Sequence, residues 1–336
     1  MTCVWRPSRI GYPSHCNGVC RGYSRLGTSN ASMWSDDTVS EALPTSADLP
    51  VDPVDTPAEL RRIAERVAAE AAEHLRGLPR PWDAAPGSQD AGSGVATKST
   101  PTDVVTASDH ALETLIRDRL AHLRPGDPVV GEEQGGGSAA AGPTGIRWVV
   151  DPIDGTVNFL YGMPWYAVSV AAVRDGVSVA GAVAEPAAGR LWSAAAGDGA
   201  TCDGRPLRVS GAADVALSLL ATGFSYSAQR RTRQVAMVSG LLPQVRDVRR
   251  AGSAALDLCA VAAGWVDAYL EHGTNWWDWA AAALIAAEAG AVVRVPGPTG
   301  STPPADGLGG DALFAATPAI ADRLAELARE HGAGRV

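Results

Sequence analysis

The chain has 336 residues, of which 46% are hydrophobic and 19% charged, so it has ample apolar material for a buried core. Lys and Arg total 28 against 37 Asp and Glu, and the resulting net charge of -9 argues against direct electrostatic binding to nucleic acid or an anionic membrane. No apolar run reaches the roughly 18 residues that a membrane span needs. Five cysteines are too few for a disulfide scaffold of this size. The composition therefore favours a soluble cytoplasmic protein.

The first part of the chain is predicted to lie outside the folded region. Residues 1–55 show no periodic apolar pattern, and they lack the continuous apolar core of a signal peptide. Residues 1–32 also hold three of the five cysteines. We therefore interpret residues 1–55 as a disordered N-terminal extension, and we expect translation to start at Met33.

Regular structure is predicted to begin with a helix. Thr56, Pro57 and Glu59 form a capping box with proline at the first helical position, and Gly77 ends the apolar stripe that follows. Further elements follow from the hydrophobic periodicity and the turn residues of the chain. They are a helix at 106–123, a strand at 146–150, antiparallel hairpins between 165 and 210, helices near 228–242, 253–263 and 279–289, a strand at 265–271, and a last helix from Thr317-Pro318. This order indicates a mixed α/β or α+β protein without internal repeats.

Acidic residues concentrate in four clusters, each at the end of a predicted element. The clusters are Gly131-Glu132-Glu133, the segment 151–156 (DPIDGT), Asp278, and the segment 102–109 (TDVVTASD), with Lys98 just upstream of the last.

The segment 151–156 has the composition of a magnesium site. The carboxylates of Asp151 and Asp154 are three residues apart and can converge on one point, where the Ile153 carbonyl offers a third oxygen, and Mg²⁺ prefers such hard oxygen ligands. The backbone amides of Gly155 and Thr156 could bind a phosphate oxygen beside it. Carboxylates for metals next to amides for phosphate suit metal-assisted phosphoester hydrolysis. Taken alone, the six residues also fit an ordinary loop turn.

Two longer segments resemble a known family. Residues 148–159 (WVVDPIDGTVNF) resemble the first signature of the inositol monophosphatase family, and residues 277–290 (WDWAAAALIAAEAG) resemble the second. The Gly131-Glu132-Glu133 cluster and the segment 98–109 match the same family in order and spacing. The resemblance extends from about residue 57 to residue 330. It implies a magnesium-dependent, lithium-sensitive phosphatase.

The resemblance assigns metal ligands. It implies that Glu132, Asp151 and the Ile153 carbonyl hold the magnesium that activates water. It implies that Asp151, Asp154 and Asp278 hold a second magnesium, which stabilises the leaving group. A third, weaker magnesium would lie near Glu132, so we expect two or three ions for each site.

The resemblance also assigns catalytic and substrate-binding residues. Asp109 and Thr156 would orient and deprotonate the attacking water, while the amides of Gly155 and Thr156 bind phosphate oxygens. Lys98 would lie on a loop that folds over the site and offset part of its negative charge. The residues expected to bind the polyol hydroxyls are Ser253, Ala254 and Glu271.

The fold and the substrate follow from the same resemblance. It implies a layered α-β-α-β-α sandwich over residues 56–331, with subdomains at about 56–210 and 211–331, and a homodimer. Inositol 1-phosphate is the expected substrate. Histidinol phosphate stays as an alternative because Glu271 could pair with its ammonium group. A non-catalytic role in protein interactions, for example with the transcription machinery, is the alternative from a different class.

Overall fold

The computed structural model describes residues 55–78, 96–97, 104–105, 107–136, 144–296 and 306–336. The predicted extension up to residue 54 and Lys98 both lie outside these ranges. The helices of the described part are α1 (Pro57–Gly77), α2 (Ala107–Leu123), α3 (Thr156–Tyr161), α4 (Ala228–Leu241), α5 (Ala254–Ala262), α6 (Trp276–Glu288) and α7 (Pro318–Glu330). The mixed α/β class expected from the sequence is confirmed.

Two large sheets organise the described residues. The first has seven strands in the order β3-β4-β5-β6-β7-β8-β9, in which only β3 and β4 pair in parallel. Its strands are β3 (Val129–Gly131), β4 (Ile146–Asp154), β5 (Ala167–Arg174), β6 (Val177–Glu185), β7 (Arg190–Ala195), β8 (Ala200–Cys202) and β9 (Arg205–Pro206). The antiparallel hairpins predicted between residues 165 and 210 are therefore present.

The second sheet has five strands in the order β11-β10-β12-β14-β13. Its strands are β10 (Leu219–Thr222), β11 (Asp247–Arg249), β12 (Ala268–His272), β13 (Val292–Arg294) and β14 (Ala312–Ala316). Strand β10 pairs in parallel with both β11 and β12, while β14 is antiparallel to both of its neighbours. A short separate pair is formed by β1 (Ala96–Thr97) and β2 (Val104–Val105).

The helices and sheets pack in layers around three apolar cores. Helices α1 and α2 cover one face of the seven-stranded sheet, and α5 and α6 pack between the two sheets. Helices α4 and α7 cover the outer face of the five-stranded sheet. Residues in β4 alternate between cores, since Val149 faces α5 and α6 while Trp148 and Val150 face α1 and α2. The resulting order is α-β-α-β-α.

Some element boundaries differ from the predicted ones. Strand β4 was expected to end at Val150 but continues to Asp154, with a register shift against β5 between Asp151 and Asp154. Pro152 lies inside this shift, and because proline has no amide hydrogen it cannot join the ladder there. The short helix α3 was not predicted, and β12 begins at Ala268 rather than at residue 265.

Candidate active site

The bulged end of β4 presents the first two carboxylates. Asp151 pairs with Ser169 and Asp154 with Ala167 of β5, so residues 152 and 153 bulge out of the ladder. The Ile153 amide donates to Asp151 Oδ1 at 3.0 Å, which closes the bulge on itself. Asp151 is only 1% exposed. The irregular strand end therefore holds both carboxylates in a fixed arrangement.

A third carboxylate reaches the same place from the start of α6. Asp278 lies in the first turn of that helix, where its Oδ2 accepts a hydrogen bond from the Asn275 amide at 2.6 Å. One carboxylate oxygen from each of Asp151, Asp154 and Asp278 lies within 4.8 Å of the other two. Three oxygens at this separation can share a metal ion, and their chemistry suits a hard divalent cation.

The electrostatics of the cluster favour a bound cation. Burial raises the pKa of Asp151 well above its ordinary value, and the charges of Glu132, Asp154 and Asp278 raise it further. Burial likewise raises the pKa of Asp278, with the charges of Asp154 and Glu132 adding to the effect. A divalent cation would offset this mutual repulsion.

Asp154 has its own set of hydrogen-bond donors from the start of α5. Its Oδ2 accepts hydrogen bonds from the Ser253 hydroxyl and from the Ala255 amide, the latter at 2.8 Å. Burial raises the pKa of Asp154 to about 6, although these hydrogen bonds act in the opposite direction. The Ser253 hydroxyl also accepts from the Leu256 amide as the N-cap of α5, and the residue is 1% exposed. The structure thus places the Ser253 side chain against a carboxylate of the cluster.

The turn after Asp154 holds the Thr156 hydroxyl near Asp109 and packs closely against two backbone carbonyl groups. Thr156 Oγ1 lies 3.0 Å from the Ile153 carbonyl oxygen and 3.3 Å from Asp109 Oδ1. Gly155 has a positive φ of 92°, and a Cβ there would lie 3.1 Å from the Trp165 carbonyl oxygen and 3.2 Å from that of Gly252. Glycine is therefore required at this position.

Most of these groups line one cavity of about 400 Å³. Its walls include the residues Glu132, Asp151, Ile153, Asp154, Gly155, Thr156 and Asp278, together with Tyr226, Arg250, Ala254, Glu271 and Trp277. The structure therefore brings together the predicted metal ligands, the Gly155-Thr156 turn, Ala254 and Glu271. Asp109 and Ser253 do not line the cavity. Asp109 contacts Thr156, and Ser253 contacts Asp154.

Two residues near Glu271 were missed by sequence reasoning. The Tyr269 hydroxyl donates to Glu271 Oε2 at 2.6 Å, and Arg250 lines the cavity. Burial raises the pKa of Glu271 to about 6, while the hydrogen bond from Tyr269 and the charge of Arg250 lower it. Tyr269 lies two residues before Glu271 on β12, hence on the same face of the strand, and this spacing was the available signal.

Comparisons with known proteins show the family of this chain. The model of the inositol monophosphatase family matches residues 56–333. The chain belongs to the inositol monophosphatase family. An inositol-1-monophosphatase from Mycobacterium leprae is 53% identical over 287 residues, which cover 83% of this chain and 97% of that protein. The solved structure of Mycobacterium tuberculosis SuhB matches with a TM-score of 0.68 and 44% identity, over 84% of this chain and all of that one.

Relatives with a different name are also similar to this chain. The protein called Nus factor SuhB in Pasteurella multocida is 42% identical over 197 residues, which cover 58% of this chain and 73% of that protein. Family membership and the mycobacterial relatives make this member a phosphatase. The family implies a metal cofactor, and the three clustered carboxylates fit one. Among the described residues, no helix is both long and apolar enough to cross a membrane.

Proposed function

We propose that this phosphatase is a magnesium-dependent phosphomonoesterase whose substrate is inositol 1-phosphate. The observation that carries the proposal is the convergence of Asp151, Asp154 and Asp278 within 4.8 Å, in the cavity that also contains the Gly155-Thr156 turn. Carboxylates for divalent ions beside backbone amides for a phosphate are the parts that metal-assisted phosphoester hydrolysis needs.

Five residues would hold the ions. Glu132, Asp151 and the Ile153 carbonyl would bind one magnesium, and Asp151, Asp154 and Asp278 a second, with a third, weaker ion near Glu132. When bound, the ions supply an activated water and stabilise the charge that develops on the leaving oxygen. The Ser253 hydroxyl and the Ala255 amide would keep Asp154 in its ligating orientation, since both donate to its Oδ2.

Asp109 and Thr156 would move the proton of the attacking water. The Thr156 hydroxyl lies 3.3 Å from Asp109 Oδ1, so it can pass its own proton to that carboxylate as Oγ1 takes one from the water. The Gly155 and Thr156 amides would bind the phosphate oxygens. Lys98 would contribute positive charge from the segment outside the described residues.

Glu271 would select the alcohol part of the substrate. It lines the cavity together with Ala254, and its Oε2 is held by the Tyr269 hydroxyl, which leaves Oε1 to accept hydrogen bonds from ring hydroxyls. A second phosphate near this carboxylate would be repelled, which disfavours sugar bisphosphates. An ammonium group would be attracted instead, so histidinol phosphate is the alternative substrate to test.

Phosphate release from a panel of substrates tests the proposal. Inositol 1-phosphate, histidinol phosphate, fructose 1,6-bisphosphate and a small generic phosphate ester should be assayed with Mg²⁺, with EDTA, and with added Li⁺. We expect inositol 1-phosphate to be hydrolysed fastest, with activity lost in EDTA and lowered by Li⁺. Faster turnover of histidinol phosphate would show that histidinol phosphate, and not inositol 1-phosphate, is the preferred substrate. Full activity in EDTA would overturn the metal mechanism.

Glu271→Gln separates specificity from catalysis on the same panel. A hydrogen bond to a charged group contributes roughly 1.5–3 kcal/mol. The glutamine keeps an acceptor oxygen, so kcat/KM for inositol 1-phosphate should fall by about tenfold, at ~1.4 kcal/mol per decade. The loss should be larger for histidinol phosphate and negligible for the generic ester. An equal loss on the generic ester would show that Glu271 serves the metals or the fold instead.

A second candidate function is a non-catalytic role in protein interactions. The relatives called Nus factor SuhB favour it, because their name refers to something other than phosphatase activity. The two roles can be separated with Asp151→Asn, which should abolish phosphate release. If the substituted protein still replaces the wild type in a cell that lacks this chain, the cellular role does not depend on catalysis.

We also propose that the protein is a homodimer, as the family resemblance implies. Light scattering behind size-exclusion chromatography would measure the mass directly. A particle of twice the chain mass supports the dimer, and a particle of one chain mass overturns it.

A further inference from the structure

The loop that carries Glu132 is held by a buried carboxylate of α2. Glu113 is 0% exposed, and its two oxygens accept hydrogen bonds from the two amides that follow Glu132. The Glu133 amide donates to Glu113 Oε2 at 2.7 Å, and the Gln134 amide donates to Oε1 at 3.0 Å. The backbone just after the predicted metal ligand is therefore bound directly to α2.

Arg117, one turn further along α2, binds the backbone on both sides of Glu132. Its Nη1 donates to the Val129 carbonyl at 3.0 Å and its Nη2 to the Gly135 carbonyl at 2.8 Å. Its Nε also donates to Glu113 Oε1 at 2.9 Å, and the two side chains form an ion pair. One planar guanidinium thus connects the first residue of β3, the end of the loop and the carboxylate that holds the middle of the loop.

The loop is shaped to admit the carboxylate. A Cβ at Gly131 would overlap the Glu113 carboxylate group. The Gly131 amide also donates to the Gly135 carbonyl at 3.0 Å, which closes the loop into a compact turn. Glycine at this position is needed for close approach, because a larger residue would push Glu113 away from the amides that it binds.

The same helix carries Asp109, one turn before Glu113. Both carboxylates are fully buried, and residues four apart lie on one face of a helix. Asp109 contacts Thr156 of the catalytic turn, whereas Glu113 contacts the loop of Glu132. Helix α2 therefore connects the group that would accept a proton to the residue that would bind a metal.

We propose that Glu113 and Arg117 form a clamp that positions Glu132 for metal binding and fixes its distance from Asp109. The inference rests on the proposed function, in which Glu132 is a metal ligand. Glu113 and Arg117 are positioning residues, since both act through the backbone of the loop. Outer partners that orient metal ligands typically change metal affinity by 10–100-fold when they are removed. Breaking this pair should therefore lower the affinity for magnesium more than it lowers the stability of the folded protein.

Magnesium binding to the purified full chain, measured by calorimetry, tests the clamp. The variants are Glu113→Gln and Arg117→Met, and the matched control is Arg61→Met, which breaks the i,i+4 ion pair between Arg61 and Glu65 on α1. We expect the two clamp variants to bind Mg²⁺ at least about tenfold more weakly. Their kcat should recover at high Mg²⁺ with KM for the substrate unchanged. Arg61→Met should lower the melting temperature yet bind Mg²⁺ like the wild type.

The possible failures are distinguishable. If Glu113→Gln does not fold, Arg117→Lys keeps the charge but cannot reach both carbonyls, and it should show the same loss of affinity. Wild-type magnesium affinity in folded Glu113→Gln and Arg117→Met, combined with lost binding in Asp151→Asn, would overturn the clamp alone. Wild-type binding and turnover in Asp151→Asn would overturn the proposed function itself. An affinity loss of equal size in Arg61→Met would show a general effect of stability and also overturn the clamp.

Discussion

The hydroxyl of Thr156 lies 3.3 Å from Asp109 Oδ1, although 47 residues separate them in the chain. The same hydroxyl lies 3.0 Å from the Ile153 carbonyl oxygen, so it has two acceptors within reach and only one proton to donate. A group that can exchange one partner for the other is suited to passing a proton on. This relationship connects α2 to the turn after β4.

Thr156→Val should lower kcat strongly with a smaller effect on KM. The substitution keeps the size and branching of the side chain but removes the hydroxyl that, in the proposed mechanism, would link the attacking water to Asp109. General-base catalysis contributes about 10²–10⁴-fold, so a loss of this order is expected. Steady-state phosphate release measures it. Thr156→Ser, which keeps the hydroxyl, is the control and should retain most of the activity; equal losses in both variants would contradict a role for the hydroxyl.

Asp151→Asn should abolish turnover and weaken magnesium binding. Asp151 belongs to both proposed ion sites, so its loss should affect the attacking water and the leaving group together. Removing one charge from the cluster should also relieve repulsion and raise the melting temperature of the metal-free protein. Asp322→Asn on the exposed face of α7 is the matched control and should change none of these quantities. Full activity of Asp151→Asn at saturating Mg²⁺ would contradict the two-ion arrangement.

The predicted carboxylate cluster was accessible from the sequence because its members lie at the ends of strongly patterned elements. Asp151 and Asp154 follow the apolar run of residues 146–150 within β4, and Asp278 lies in the first turn of an alanine-rich helix. Long amphipathic helices such as α1 and α7 were likewise clear from their periodicity. The periodicity therefore predicted the mixed α/β class and the positions of these carboxylates, whereas the layered sandwich followed from the family resemblance.

The supporting contacts were not accessible in the same way. Ser253 and Asp154 are 99 residues apart, and Glu113 and Glu133 are 20 apart, so each pair depends on tertiary packing. The bulge at the end of β4 was also missed, because the apolar pattern stops at Val150 while the backbone pairing continues beyond Pro152. Local patterns predict elements, but partners that meet across layers leave no periodic signal.

Glu271→Gln should stabilise the metal-free protein, and more at pH 7.5 than at pH 5. Burial raises the pKa of Glu271 from 4.5 to about 6, so the folded state keeps a proton that the unfolded chain has already lost. The stability from this group is fully present below pH 4.5 and is lost as the pH rises through 6. At pH 7.5 the ionised carboxylate costs up to about 2 kcal/mol at ~1.36 kcal/mol per pKa unit. Urea unfolding in EDTA at both pH values measures the gain; a gain that is larger at pH 5 would contradict the sign of this shift.

Asp55 connects the start of α1 to two other parts of the fold. Its carboxylate pairs with Arg124 at 2.6 Å, and Arg174 donates to its carbonyl oxygen at 2.8 Å. Arg124 follows α2 and is only 5% exposed, so its charge depends on nearby acceptors. Asp55 is therefore bound to the end of α2 and to β5.

A shortened chain that starts at Met33 should be as stable as the full chain, whereas one that starts at Ala58 should be less stable. The family match begins at residue 56, so a chain that starts at Met33 should keep its melting temperature, its magnesium affinity and its phosphatase activity. A chain that starts at Ala58 loses Asp55, which leaves the buried Arg124 with one acidic partner fewer, and it also loses Thr56, the N-cap of α1. Its free energy of unfolding should fall by about 2–4 kcal/mol. Urea denaturation of the full chain and both shortened chains measures the difference. Equal stability of all three would show that Asp55 and Thr56 do not anchor α1, and a loss of stability on starting at Met33 would show that residues 1–32 contribute to the fold.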